Sequence, residues 1–108
     1  MVEVENIQLD HHEFIGIYLN LPQYPIHFIM STHSILAQEN FSMEHFNHVE
    51  KDVALILCSY TFGFEGLLAS VVVDCNTHAK HKGVCKGMLA KEALMLCEKN
   101  TNQALPQV

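Results

Sequence analysis

Residues 75 to 85 set Cys75, His78, His81 and Cys85 at the spacing C-x2-H-x2-H-x3-C. Thiolates and imidazoles are the ligands that tetrahedral zinc takes, and four such groups in so short a stretch satisfy the count. Geometry argues the other way. Cys75 ends an apolar strand, where alternation places it on the face of Val71 and Val73 as a small buried hydrophobe. His78 and His81 stand three apart, so on a helix they share a side, and with Ala79 packed inward that side is solvent. Gly83 stops the helix before Cys85, so no continuous helical face carries all four. Lys80, Lys82 and Lys86 interleave the cluster and repel a cation. The favoured reading is an exposed helix of histidines and lysines. No cofactor is predicted, and zinc on these four residues is the alternative.

The remaining chemistry is sparser. Asp10, His11, His12 and Glu13 are contiguous, which suits a polar turn better than convergence on one ion. His45 and His48 fall on one side of a helical segment, as a solvated face does. A Cys–His nucleophile needs Cys58 or Cys97 beside a histidine in space, which spacing alone cannot arrange. Cys58 lies in an apolar strand, where a thiol is inert. Cys97 lies toward the end of the last helix, where the dipole disfavours a thiolate. No serine has a nucleophile-elbow context and no carboxylates pair. The glycines at 63, 66, 83 and 87 make neither a GxGxxG fingerprint nor a phosphate loop. No catalytic or ligand-binding residue is assigned, and the reading leans away from an enzyme.

The elements that must position these residues follow from periodicity. Val2 to Asp10 reads as a first strand, and "EFIGIYLNL" as a second, with Ile15, Ile17, Leu19 and Leu21 on one face and "DHHE" as the turn between them. Pro22 ends the second strand because it cannot donate to a ladder. "PIHFIMS" is a third strand carrying Ile26, Phe28 and Met30 on one face. "HSILAQ" continues it or forms a fourth. "SMEHFNHVEK" reads as a helix capped by Ser42, with Met43, Phe46 and Val49 inward. "VALILCSY" is an unbroken apolar run, as in a strand covered on both faces. "FGFEGLLA" is a short helix using Phe64, Leu67 and Leu68, and "SVVVDC" another strand. Residues 77–82 form a short helix closed by Gly83, and "MLAKEALMLCEK" is the last helix.

Only about nine residues link the strands that flank "FGFEGLLA", short for a parallel crossover. The expected fold is therefore α+β: one small domain over residues 1–99, with a polar tail at 100–108. Its sheet is mixed or mainly antiparallel, of about five to six strands, with three to four short helices packed on it.

Composition bounds the partners. The chain has 108 residues, 49% of them hydrophobic, enough for one domain with a modest core. Its net charge of −6 lacks the basic footprint that nucleic acid or anionic lipid requires. Protonating all eight histidines would bring the charge to −6 + 8 = +2, so solubility should weaken near the pI of 5.7. The opening "MVEVENIQLD" has neither the basic start nor the apolar core of a signal peptide. The longest apolar run, Val53 to Cys58, is far short of a membrane span. These features predict a cytoplasmic protein whose four cysteines are reduced, with no membrane and no nucleic-acid partner.

The stretch "SYTFGFEGLLASVVVDCNTHAKHKGVCKGMLAKEAL" resembles the C-terminal half of the YunC-like family of small uncharacterised proteins, domain of unknown function 1805. The matching features are Phe64-Glu65, Leu67-Leu68, Val72, Ala79, Gly83-Val84, Gly87-Met88 and Glu92-Ala93-Leu94. The earlier "FIGIYLNLPQYPIHFI" is similar to the family's Gly-x-x-x-x-Leu-Pro segment and the strand after it. Where that family often carries a Cys-Gly pair, this chain has Gln38 and Glu39. Where it often has Ser-Gly after the methionine, this chain has Leu89 and Ala90. The resemblance implies a compact α/β fold and an intracellular setting, fixes no ligand type at His78, His81 or Cys85, and implies no activity.

Taken together, the residues point to a non-enzymatic intracellular module that binds a small ligand, itself unspecified, or another protein, and that acts as a homo-oligomer. In a chain this small, a subunit interface would bury apolar surface that the core alone cannot. A metal or redox protein using residues 75–85 is the alternative, and a small enzyme with a site assembled between subunits is a further one.

Overall fold

Alternation in the first third of the chain produces a hairpin: β1 (Val2–Leu9) pairs antiparallel with β2 (His12–Leu21), Val4 opposite Ile17. Asp10 turns the chain with φ of 55°, a left-handed conformation that a short polar side chain tolerates. β2 stops before Pro22, and β3 (Tyr24–Met30) returns against it with Gly16 opposite Ile29. A tight turn at Ser31 to Ser34 then separates β3 from β4 (Ser34–Gln38), so "HSILAQ" is a strand of its own. The computed structural model describes residues 2–22, 24–39, 53–59 and 63–104. The expected helix over "SMEHFNHVEK", with His45 and His48, lies outside the described residues.

β5 (Ala54–Cys58) is buried along its whole length and pairs parallel with β4. α1 (Gly63–Ala69) carries the chain to β6 (Val72–Cys75), which lies antiparallel to β5. The six strands run in chain order across one sheet, and β4–β5 is its parallel pair. α2 (Thr77–His81) and α3 (Ala90–Ala104) complete the described elements. The fold is thus α+β, a small single domain with a mostly antiparallel sheet.

The main core lies between the sheet and helices α1 and α3. Leu67 from α1 and Ala93, Leu94 and Cys97 from α3 pack on Phe14, Ile29, Leu36 and Ile56. Such burial stabilises by roughly 1.5–3 kcal/mol for each large side chain. Ala37, Leu55 and Leu57 form a second, smaller buried cluster on the opposite face.

Two local expectations are corrected. The ladder between β5 and β6 slips at Leu57/Cys58, pairing Ile56 with Cys75 and Cys58 with Val72. Val73 is the extra residue, and a bulge of one residue reverses the alternation. Cys75 therefore joins Val72 in the helix-side core, while Val73 packs on the other face. The last helix starts at Ala90, because Met88 and Leu89 are held alongside β6. Val72 N donates to Met88 O (2.8 Å), and Leu89 bridges Val71. At its other end the helix runs to Ala104, past the expected start of the tail. Neither Gly nor Pro interrupts it before Pro106.

Candidate functional site

The Cys/His segment is spread over three environments. Cys75 is buried at the end of β6, its Sγ 3.9 Å from Val84 O. Asn76 caps α2 by accepting from Ala79 N, and Ala79 is fully buried. That orientation leaves His78 half-buried and His81 exposed. Gly83 takes φ of 100° and closes the helix, with Val84 N donating to Ala79 O (3.1 Å). Cys85 then emerges exposed. The structure does not bring the four together, and among the described residues no group of three or more His, Cys, Asp or Glu is placed to hold a metal ion. Burial pushes the Cys75 thiol up, with Lys80 opposing that more weakly.

Spacing did not disclose a polar row that crosses the helix side of the sheet. Tyr18 stands opposite His27, and Gln38 opposite Cys58. The His27 ring stacks on Tyr18 at 4.5 Å and 24° and meets Phe64 edge-on at 5.5 Å. Gly16 makes room for that packing. A Cβ there would lie 2.8 Å from Ile7 Cδ1 and 2.9 Å from the Phe64 ring. His27 N donates to Gln38 Oε1 (3.4 Å), and Cys58 Sγ donates to Ala37 O (3.4 Å). Gln38 is 2% exposed, and its Nε2 has no hydrogen-bond partner among the described residues.

This row does not assemble a nucleophile. Burial holds His27 below the usual imidazole range. Burial also raises the Cys58 thiol, only partly offset by a hydrogen bond with Ser70. Both groups are therefore neutral near pH 7. They sit two strands apart, roughly 10 Å, with Gln38 between them. A neutral imidazole at that distance cannot take the thiol proton. The signal for the row was present in "PIHFIMS": if Ile26, Phe28 and Met30 share one face, His27 and Ile29 share the other. Which of those faces the helices cover is a matter of tertiary packing.

Two surfaces remain. The first is the side of β1, β2 and β3 away from the helices. Val2 and Val4 stand there beside Leu19 and Ile17, and these beside Ile26 and Phe28. Ile15 pairs with Met30 in the next row. Val2 is 59% exposed, Val4 65% and Ile15 45%, and the rest are half-buried. No charged side chain stands on this face between Val2 and Asn6, Ile15 and Leu21, or Ile26 and Met30. The second is a cleft of about 700 Å³ between α3 and the β1–β2 hairpin. Met95 and Leu96 form its floor, with Lys91, Glu92 and Lys99 on the helix wall and Asp10 and His12 on the hairpin wall.

No family model matches this chain, and no curated protein matches it. Among solved structures it is similar to TA1206, a protein of unknown function from Thermoplasma acidophilum. The likeness has a TM-score of 0.80 at 17% identity and covers 88% of this chain and 91% of that one. It shows the fold, and at that identity nothing about the cleft, the polar row or the open sheet face. Among the described residues no helix is long and apolar enough to cross a membrane.

Proposed function

We propose that the protein is a non-enzymatic binding module, for a small ligand or another protein, that assembles as a homo-oligomer through the open face of β1, β2 and β3. The observation that carries this reading is that face: apolar from Val2 and Val4 across to Met30, with Glu13 at its margin, and exposed at Val2, Val4 and Ile15. An antiparallel sheet with one face on its core ordinarily turns polar residues to water on the other. Here the face away from the core carries valine, isoleucine, leucine and phenylalanine instead, like the interior of a homodimer interface, which is depleted of charge. A second copy offers the same patch about a two-fold axis. Covering Val2, Val4 and Ile15 would contribute on the order of 1 kcal/mol each. The net charge of −6 opposes association of like chains, but the carboxylates of β1, Glu3 and Glu5, point to the other face.

A cytoplasmic setting belongs to the same proposal, supported by four cysteines that form no disulfide among the described residues. So does membership of the YunC-like family, on the residues quoted above, and it adds no activity. Light scattering behind size exclusion tests the assembly. The wild type should run as a dimer or higher oligomer. Val4→Glu with Ile15→Glu, both at exposed positions, should run as a folded monomer with an unchanged circular dichroism spectrum. A wild type that stays monomeric at high concentration would sink the oligomer.

A further inference from the structure

We infer that the cleft between α3 and the β1–β2 hairpin binds a short apolar zwitterion, of the kind a peptide of two to four residues with free ends provides. This rests on the reading of the chain as a binding module, but not on its oligomeric state. The cleft, about 700 Å³, is within the range of small-molecule sites. Its floor, Met95 and Leu96, suits aliphatic side chains, and methionine adapts to several shapes.

The charges around that floor select the ends of the ligand. Lys91 and Glu92 are adjacent in the first turn of α3, so their charges largely cancel at the distance of a ligand. That leaves Lys99 as the cation and Asp10 as the anion of the lining, since Glu98, beside Lys99, does not line the cleft and accepts a hydrogen bond from Ser31 Oγ. Among the described residues neither Asp10 nor Lys99 makes a side-chain hydrogen bond or ion pair. A carboxylate thus finds Lys99 and an ammonium finds Asp10. A purely anionic or purely cationic ligand leaves one of the two unanswered, in a chain whose net charge of −6 further disfavours an anion. The cleft lies on the helix side of the sheet, opposite the open face, so assembly through that face leaves it accessible.

The test is calorimetric titration with the tripeptide Leu-Ala-Leu in four forms: free, N-acetylated, C-amidated and capped at both ends. The free form should bind best, each single cap weakening it about tenfold, the loss expected for one charge-assisted hydrogen bond. Asp10→Asn should erase the preference for a free N-terminus and leave the preference for a free C-terminus. Lys99→Gln should do the converse. Both substitutions preserve the fold, since asparagine tolerates the left-handed turn and position 99 is exposed. Equal binding of all four forms, or no binding with a Kd below about 1 mM, overturns the inference. Repeating the titration on the Val4→Glu, Ile15→Glu variant separates the two claims. Peptide binding by a monomer supports the cleft alone, and failure to bind by an intact oligomer overturns the cleft alone.

Discussion

His27 sits between the face of Tyr18 and the edge of Phe64, and burial holds its imidazole neutral. In the unfolded chain the same group titrates near 6.5. Below that pH the unfolded state binds a proton that the folded state resists, so stability is complete above about 6.5 and is lost as pH falls toward the lower folded value. Urea unfolding at pH 7.5 and 5.5 should therefore show a loss on acidification, and His27→Gln should show a markedly smaller one. An unchanged loss in the variant would place the proton elsewhere. The thiols divide the same way. Burial pushes Cys97 up to about 12 and raises Cys58 and Cys75, whereas Cys85 is exposed. Only a thiolate attacks an aromatic disulfide. At pH 8 the native protein should release one equivalent of thionitrobenzoate quickly, from Cys85, and the full four only in denaturant. Three or more fast equivalents would mean that the buried thiols are reached by local opening.

Among the elements, what was legible was what depends on near neighbours. Alternation marked β1, β2 and β3, the unbroken apolar run marked β5, and Gly83 marked the end of α2. What was illegible depends on partners far along the chain. The bulge at Val73 exists only because Cys58 and Val72 must pair while Ile56 pairs with Cys75. It turned Cys75 into the helix-side core, against the alternation. The start of α3 waits for Leu89 because Val71 holds it. The cause expected to disfavour a thiolate at Cys97 is replaced: the helix continues seven residues beyond it to Ala104, so burial rather than a helix C-terminus pushes its thiol up. The His27–Gln38 row needed the register of β3 on β4.

Asn76 is where local and distant signals meet. Its Oδ1 accepts from Ala79 N, capping α2, and from Leu55 N of β5, both at 3.0 Å, while its Nδ2 donates to Val53 O. Asn76→Ala removes a cap and strands groups of the buried β5 backbone, which should cost about 2–4 kcal/mol. Asn76→Asp keeps the acceptor and should cost less. Chemical denaturation of both variants would show the order, and a cost below about 0.5 kcal/mol for alanine, as at an ordinary surface site, would mean that water replaces all three bonds.

For the whole molecule, the two faces of one sheet set the problem. The helix side carries the main core, in which Phe14, Ile29, Leu36, Ile56, Leu67 and Leu94 are nearly or wholly inaccessible. The other side is closed at Ala37, Leu55 and Leu57 and open at Val2, Val4 and Ile15. A chain of 108 residues has little surplus core, so leaving that patch to water forgoes stability it needs. If a second copy covers the patch, folding and association are linked, and stability depends on protein concentration. Each tenfold rise in concentration should then add about 1.4 kcal/mol per dimer to the free energy of unfolding to separated chains. A unimolecular fold gains nothing from concentration. Thermal melts of the wild type across two decades of concentration should move upward, by several degrees for a domain of this size. The Val4→Glu, Ile15→Glu variant should melt lower and at one temperature throughout. A wild-type melting temperature that ignores concentration, in a protein that sizes as a dimer, would assign the dimer to a contact that contributes little to folding and take the open face out of that role.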